Sequence, residues 1–179
     1  ELFDLKGVGK SPSKLDLTRI LSLNEHYIKH MDEKKLFELF KIFSQKFRKN
    51  IDSSKEKSIF KSMSFLKNKA NTLNDIYINA HYIIKDKIKI APENMKLLDK
   101  LSNEILKDFL NEFKKITKAD KENLEIIIKA LIKKYNTNFE GVGQPLRIAL
   151  TGSRFGPGVY DIILSLDKDE VVNRLQSIK

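Results

Sequence analysis

The sequence predicts an all-α fold. Apolar residues recur at three- and four-residue spacing over most of the 179 residues, which is the pattern of amphipathic helices. Several of these stretches begin with a Ser or Thr followed three residues later by Asp or Glu, a helix-start motif. Glycine and proline are concentrated near the beginning, at position 92 and between 141 and 158, so the stretches between them are left free to form helices.

Four helices are predicted in the first half. The first begins at Leu15, and the second spans Asp32 to Phe47. The third begins with Ser53-x-x-Glu56, and the fourth begins with Thr72-x-x-Asp75 and runs to about Lys85. The side chains of such a motif satisfy backbone N–H groups that lack a partner in the first helical turn.

Five further helices are predicted in the second half. Pro92 suits the first turn of the fifth helix, where a missing N–H costs nothing. Thr117-x-x-Asp120 opens the sixth, short helices are expected at about 145–151 and 158–165, and Asp167-x-x-Glu170 begins the last. Pro92 also marks a predicted boundary between two helical subdomains, 1–91 and 92–179.

The charge balance is basic, with 34 Lys and Arg against 24 Asp and Glu. A net charge of +10 favours a polyanionic partner, although an AT-rich genome would also enrich lysine. The distribution is uneven, because residues 41–69 hold nine basic and two acidic residues. This stretch is therefore predicted to contact phosphates, through four lysines in particular: Lys49, Lys57, Lys61 and Lys67.

Several classes of protein are excluded or disfavoured. The absence of cysteine excludes a disulfide scaffold, a thiolate zinc site and a cysteine nucleophile. No apolar run approaches the ~20 residues of a membrane span, and no signal-peptide pattern opens the chain, so we expect a soluble, cytoplasmic protein. His26 and His30 have no adjacent third metal ligand, and Gly7-x-Gly9-Lys10-Ser11 lacks the first glycine of a phosphate loop. We assign no catalytic residue and no metal site.

Residues 141–160 form the most informative segment. A short apolar helix with one arginine is expected to stop at Gly152, and a Gly-Pro-Gly turn follows. Arg147 and Arg154 are two of only five arginines in a chain that otherwise uses lysine. Their planar guanidinium groups suit bases and phosphates, and free backbone N–H groups before a helix suit phosphate oxygens. The alternative is a tight corner between helices whose glycines serve only close packing.

The run from Gln144 to Pro157 resembles a motif of bacterial glutamyl-tRNA synthetases, Gln-Pro-(Leu/Val)-Arg-x-Ala-Leu-Thr-Gly followed by a Pro-Gly turn. Lys69-x-x-Thr72-Leu73 is similar to an Arg-x-x-Thr-Leu segment of that family, and Phe3-Asp4-Leu5 with Gly9-Lys10-Ser11-Pro12 is similar to a third patch. The resemblance implies the anticodon-binding helix cage of a class I synthetase. Residues 1–91 would hold a stem-contact region and the first anticodon-binding subdomain, and residues 92–179 the second.

The resemblance also implies a function, a set of partners and a set of site residues. Glutamate tRNA would be the partner, and a catalytic domain using ATP and Mg²⁺ would precede Glu1 in a monomeric enzyme, with no cofactor bound by the present residues. Arg147 would read the first anticodon base and Lys69 the third. The anticodon-binding set as a whole comprises Arg147, Lys69, Gly156, Val159, Arg154 and Thr72.

Lys69 stands where many members of the family have arginine. A lysine offers a point charge instead of a two-pronged donor, so either the third base is read less strictly or another group reads it. Two other hypotheses remain for the whole chain. One is a basic helical protein-interaction module with no role in RNA binding, and the other is a complete enzyme with an unrecognised site.

Overall fold

A computed structural model describes residues 15–47, 49 and 51–178. Within these residues the chain is all-α, with eleven α-helices and no strand. The Gly7-x-Gly9-Lys10-Ser11 segment and the Phe3-to-Pro12 patch lie outside the described residues. In chain order the helices are α1 (Leu17–His30), α2 (Glu33–Lys46), α3 (Ser53–Leu66), α4 (Leu73–Asn79), α5 (His81–Ile84), α6 (Pro92–Met95), α7 (Lys100–Lys115), α8 (Lys121–Lys134), α9 (Phe139–Thr151), α10 (Val159–Ser165) and α11 (Lys168–Gln176).

Aspartate side chains begin most of the long helices. In α1, α2, α3, α7 and α8 a carboxylate accepts a hydrogen bond from a backbone N–H of the first turn. The negative charge also interacts favourably with the positive end of the helix dipole. At α4 the predicted capping box forms in full, because Thr72 and Asp75 each accept a bond from the other's backbone N–H.

The predicted start of the third helix is confirmed, since α3 begins at Ser53, but the capping group is Asp52, whose carboxylate accepts from the Ser54 N–H at 2.8 Å. The predicted start of the sixth helix is wrong by a few residues, because α8 begins at Lys121 and Asp120 caps it in place of Thr117. In both cases a carboxylate next to the first turn is favoured by the positive end of the helix dipole.

Two predicted helices are each divided in the structure. The fourth is broken at Ala80 into α4 and α5, because Ala80 has φ −86° and ψ 0°, outside the regular helical conformation. The fifth is divided into α6 and α7, since Asp99 caps a new helix start at Lys100.

The predicted helix at 145–151 begins earlier than expected. It starts at Phe139, where the Asn138 side chain accepts from the Gly141 N–H at 2.9 Å, so Pro145 lies inside α9. The helix continues through proline because its apolar residues are buried, and tertiary packing supplies most of the stability of such helices.

Helix α9 lies at the centre of the second half, packed against α5, α7, α8, α10 and α11. In the first half α3 packs against α2 and α5 and also reaches α10. The buried residues on both sides of Pro92 belong to one continuous core, so the boundary at 91/92 stays a prediction. None of the described helices is long and apolar enough to cross a membrane.

Buried Arg174 ties α11 to this core. Its guanidinium donates to the carbonyl oxygens of Leu150 at 2.6 Å and Tyr82 at 2.8 Å, and pairs with Glu170 at 2.7 Å. Arg174 therefore connects the last turn of α9 to the last turn of α5. The candidate site lies between these two helix ends.

Candidate nucleic-acid interface

A glycine-rich loop, residues 152–158, leaves the end of α9. Gly152 has φ +78°, and a Cβ there would lie 2.6 Å from the Lys89 carbonyl oxygen and 2.9 Å from Ile88 Cγ2. The Gly152 carbonyl accepts from Asn94 Nδ2 at 2.8 Å. Glycine is thus required both for its backbone conformation and for its close approach to a neighbouring segment, and the predicted helix stop at this residue is confirmed.

Arg147 holds the loop in place from α9. Its Nε donates to the Pro157 carbonyl at 3.1 Å, and its Nη1 donates to the Arg154 carbonyl at 3.2 Å. A guanidinium carries five N–H donors, so three remain free of these two bonds. The half-buried side chain therefore shapes the loop and still presents donors beside it.

Lys69 reaches the same loop from the other half of the chain. It ends a 3₁₀ helix, Lys67–Lys69, between α3 and α4. Its Nζ lies 3.4 Å from the Gly156 carbonyl oxygen, and its own carbonyl accepts from Asn79 Nδ2 at 3.3 Å. The structure therefore brings Lys69, Arg147, Arg154 and Gly156 together, although Lys69 and Gly156 are 87 residues apart.

The remaining two residues of the predicted anticodon set have roles in the fold itself. Thr72 uses its hydroxyl as the acceptor that caps α4. Val159 is fully buried at the start of α10. Because it is fully buried, its side chain cannot contact a base in this conformation.

A cleft of about 350 Å³ separates the loop from α4 and α5. Tyr77, Ile78 and His81 line one side, and Phe155 and Pro157 line the other. Phe155 is 71% exposed, and the Arg154 guanidinium lies over its ring at 4.6 Å from the centroid. The cleft therefore combines an accessible aromatic ring with cations at its edge.

His81 lies on the helical side of the cleft, with Tyr77 and Tyr82. Its pKa is lowered, first because the ring loses part of its hydration and then because Lys85 and Arg174 add positive charge nearby. The imidazole is therefore neutral at pH 7. Positive charge at the cleft comes from Lys69, Arg147 and Arg154 instead.

The lysines of residues 41–69 divide into two groups. Three are paired with acids: Lys41 with Glu38, Lys55 with Asp86, and Lys67 with Glu33. Lys67 also donates to the Met31 carbonyl at 2.9 Å, and its side chain is only 12% exposed. It therefore fastens the end of α3 to the α1–α2 connection and does not present its charge to solvent.

The other five lysines have no acidic partner among the described residues: Lys46, Lys49, Lys57, Lys61 and Lys69. Lys69 Nζ lies 3.4 Å from the carbonyl oxygen of Gly156, and Lys49 Nζ lies 4.2 Å from the ring centroid of Tyr77; both Gly156 and Tyr77 line the cleft. Lys61 donates to the Leu164 carbonyl at 2.9 Å, and Lys57 is exposed one turn earlier on α3. The lysines of this stretch without acidic partners therefore lie on two separate surfaces, one beside the cleft and one on α3.

Sequence reasoning missed the helical side of the cleft and the exposed ring of Phe155. Tyr77, Ile78 and His81 carry no motif, so only the fold brings them to the loop. Phe155 did have a signal, since it is an aromatic residue between Arg154 and a glycine in a predicted turn. Such a residue has little core to pack against and is expected to be exposed.

The family model of the anticodon binding domain matches residues 23–179. The chain belongs to the anticodon binding domain family. Over 175 residues it is 54% identical to the glutamate–tRNA ligase of Pelagibacter ubique, covering 98% of this chain and 38% of that protein. Over 177 residues it is 30% identical to glutamate–tRNA ligase 2 of Zymomonas mobilis, covering 98% of this chain and 37% of that protein.

Solved structures show the same fold for this anticodon binding domain. A glutamate tRNA ligase from Elizabethkingia meningosepticum, crystallised with its amino acid, superposes with a TM-score of 0.79 at 19% identity. The match covers 99% of this chain and 36% of that protein. The present chain thus spans somewhat more than a third of the length of the relatives that it matches.

Proposed function

We propose that this chain binds the anticodon arm of glutamate tRNA, with unpaired anticodon bases entering the cleft between the 152–158 loop and α4–α5. The observation that carries the proposal is the composition of this cleft. An exposed aromatic ring, Phe155, lies beside three cationic side chains, Lys69, Arg147 and Arg154. Sequence-specific RNA recognition uses unstacked bases held against aromatic rings and arginine planes.

Arg147 and Lys69 have different capacities within this cleft. Arg147 has three N–H donors left after holding the loop, enough to read the edge of one base. Lys69 offers a single ammonium close to the Gly156 carbonyl. The assignment of the first anticodon base to Arg147 and of the third to Lys69 follows the family resemblance. Gly156 contributes its carbonyl and an open turn.

Phosphate contacts are proposed for the lysines without acidic partners. Lys49 lies at the cleft, whereas Lys57 and Lys61 lie on α3. Each phosphate contact releases counterions, so each makes binding more dependent on salt. Lys67 has no part in this set, because Glu33 and the Met31 carbonyl already occupy its ammonium.

The activity of the whole protein is proposed from its relatives. Those named above are glutamate–tRNA ligases, and we infer that a longer polypeptide containing this chain attaches glutamate to its tRNA in the cytoplasm, using ATP and Mg²⁺. Among the described residues no group of three His, Asp or Glu side chains is arranged to hold a metal. We propose no role for the residues of this chain in binding ATP or Mg²⁺.

A titration with glutamate tRNA tests the proposal. Arg147→Ala should weaken binding, and the loss should shrink when the anticodon base that it reads is substituted. Lys57→Ala should weaken binding equally for all anticodons and lower the slope of log K against log salt by about one. Lys133→Ala, near the end of α8, is the matched control and should change neither quantity, because Lys133 is exposed and, like Lys57, has no acidic partner among the described residues.

Three results would contradict the proposal. Equal losses across all anticodon variants for Arg147→Ala would remove its base-reading role. Binding to a protein without salt dependence, together with no affinity for RNA, would favour the protein-interaction module instead. Turnover by the isolated chain would favour a complete enzyme.

A further inference from the structure

A second exposed aromatic surface lies at the C-terminal end of α2. The rings of Phe43 and Phe47 are neighbours, with centroids 4.8 Å apart, and Phe47 is 58% exposed. Lys46 Nζ lies 5.9 Å from the centroid of the Phe47 ring. We call Phe43, Phe47, Lys46 and Lys49 the α2 aromatic patch.

Lys49 connects the α2 aromatic patch to the cleft. Its Nζ lies 4.2 Å from the Tyr77 ring centroid and 6.0 Å from that of Phe43. Tyr77 itself lines the cleft opposite Phe155. Lys49 therefore lies between one ring that lines the cleft and one ring of the α2 aromatic patch.

This arrangement suits a single-stranded nucleic acid. Such strands bind where a positively charged path follows the backbone and aromatic rings accept successive bases. Lys46 and Lys49 have no acidic partner among the described residues, so a partner that covered the patch without negative charge would leave two ammonium groups poorly solvated. Charge complementarity thus favours RNA over an apolar protein surface.

We infer that Phe47, flanked by Lys46 and Lys49, stacks an unpaired nucleotide of the bound RNA outside the anticodon cleft. This inference rests on the proposed function, since the strand that enters the cleft is the one that continues to the patch. It adds a contact for a nucleotide adjoining the anticodon, with no preference among the four bases, because every base has a stacking face.

Three variants of the full chain test the inference. Phe47→Ala removes the ring, Phe47→Tyr keeps it, and Ile42→Ala removes an apolar side chain of matched exposure, 60%, from another face of α2. The probes are a hairpin with the anticodon stem and loop of glutamate tRNA, and a blunt duplex of the same stem without unpaired nucleotides. Binding is measured by fluorescence anisotropy.

Phe47→Ala should weaken hairpin binding by about 5- to 150-fold, the range of one lost base–aromatic stack. Its affinity for the duplex should be unchanged, and Phe47→Tyr and Ile42→Ala should bind both RNAs like the wild type. The side chain is largely exposed, so the variant is expected to keep its helical circular dichroism spectrum.

Several results would overturn the inference. If Phe47→Ala binds the hairpin like the wild type while Phe155→Ala binds it weakly, the patch has no role and the proposed function stands. If the wild type binds neither RNA, both fail. If Phe47→Ala leaves RNA affinity unchanged but abolishes self-association in sedimentation experiments, the patch belongs to an interface between two copies.

Discussion

The substitution Gly152→Ala is expected to lower the free energy of unfolding by about 2–5 kcal/mol. A left-handed backbone costs a residue with a Cβ about 1–2 kcal/mol, and Gly152 has φ +78°. The new Cβ would also lie 2.6 Å from the Lys89 carbonyl oxygen and 2.9 Å from Ile88 Cγ2. Relieving such overpacking typically costs a further 1–3 kcal/mol or so.

Gly158→Ala is the matched control in the same loop. Gly158 has an ordinary φ of −62°, and the nearest atom to its added Cβ is Asp161 Oδ2, at the far end of a side chain that can rotate away. Its stability should stay within about 1 kcal/mol of the wild type, since an alanine compatible with the backbone also restricts the unfolded chain.

Urea denaturation followed by circular dichroism measures both variants. The m-value should not change, so the loss for Gly152→Ala appears as a lower midpoint. In thermal unfolding the loss corresponds to a fall in Tm of about 4–20 °C for a chain of this size. A Gly152→Ala protein as stable as Gly158→Ala would refute the close approach of the loop to residues 88–89.

Three further predictions concern side chains outside the cleft. Arg174→Met should lower the free energy of unfolding by about 3 kcal/mol or more, because it leaves the Leu150 and Tyr82 carbonyls without their donor. The control is Arg19→Met, at an exposed position. Equal effects of the two substitutions in urea denaturation would contradict the structure. Thr72→Ala should cost about 1 kcal/mol through loss of the α4 cap, and an unchanged urea midpoint would contradict it. Lys134 and Tyr135 hold the pKa of Asp108 below its usual range, so its stabilising effect is present at neutral pH and is lost as the pH falls through that lowered pKa. The difference in Tm between wild type and Asp108→Asn should accordingly shrink below about pH 4, and a difference that stays constant down to pH 2 would be evidence against the interaction.

Local features of the fold could be predicted from local sequence. The Thr72-x-x-Asp75 motif forms a complete capping box, and Gly152 ends α9 in the left-handed conformation. Helix α9 itself was predicted to begin at Pro145, six residues late. Its true extent depends on burial of one face against five other helices, which outweighs the hydrogen bond that proline removes.

The candidate site could be predicted only in part. Arg147, Arg154, Gly156 and Lys69 were selected by motif, and the structure brings them together. The bonding partners of Arg147 are backbone carbonyls, which no residue pattern reveals. The pairing of Lys67 with Glu33 also depends on how α1, α2 and α3 pack. A count of charges along the sequence therefore could not distinguish Lys67 from the lysines that are accessible.

The position of the anticodon bases is the central claim, and photocrosslinking tests it most directly. Glutamate tRNA carrying 4-thiouridine at an anticodon position is irradiated in complex with the chain, and the modified peptides are identified by mass spectrometry. Crosslinks should fall on residues 69–81 and 147–158, the two sides of the cleft. Crosslinks confined to residues 100–134, in α7 and α8, would contradict the assignment of the cleft as the anticodon site.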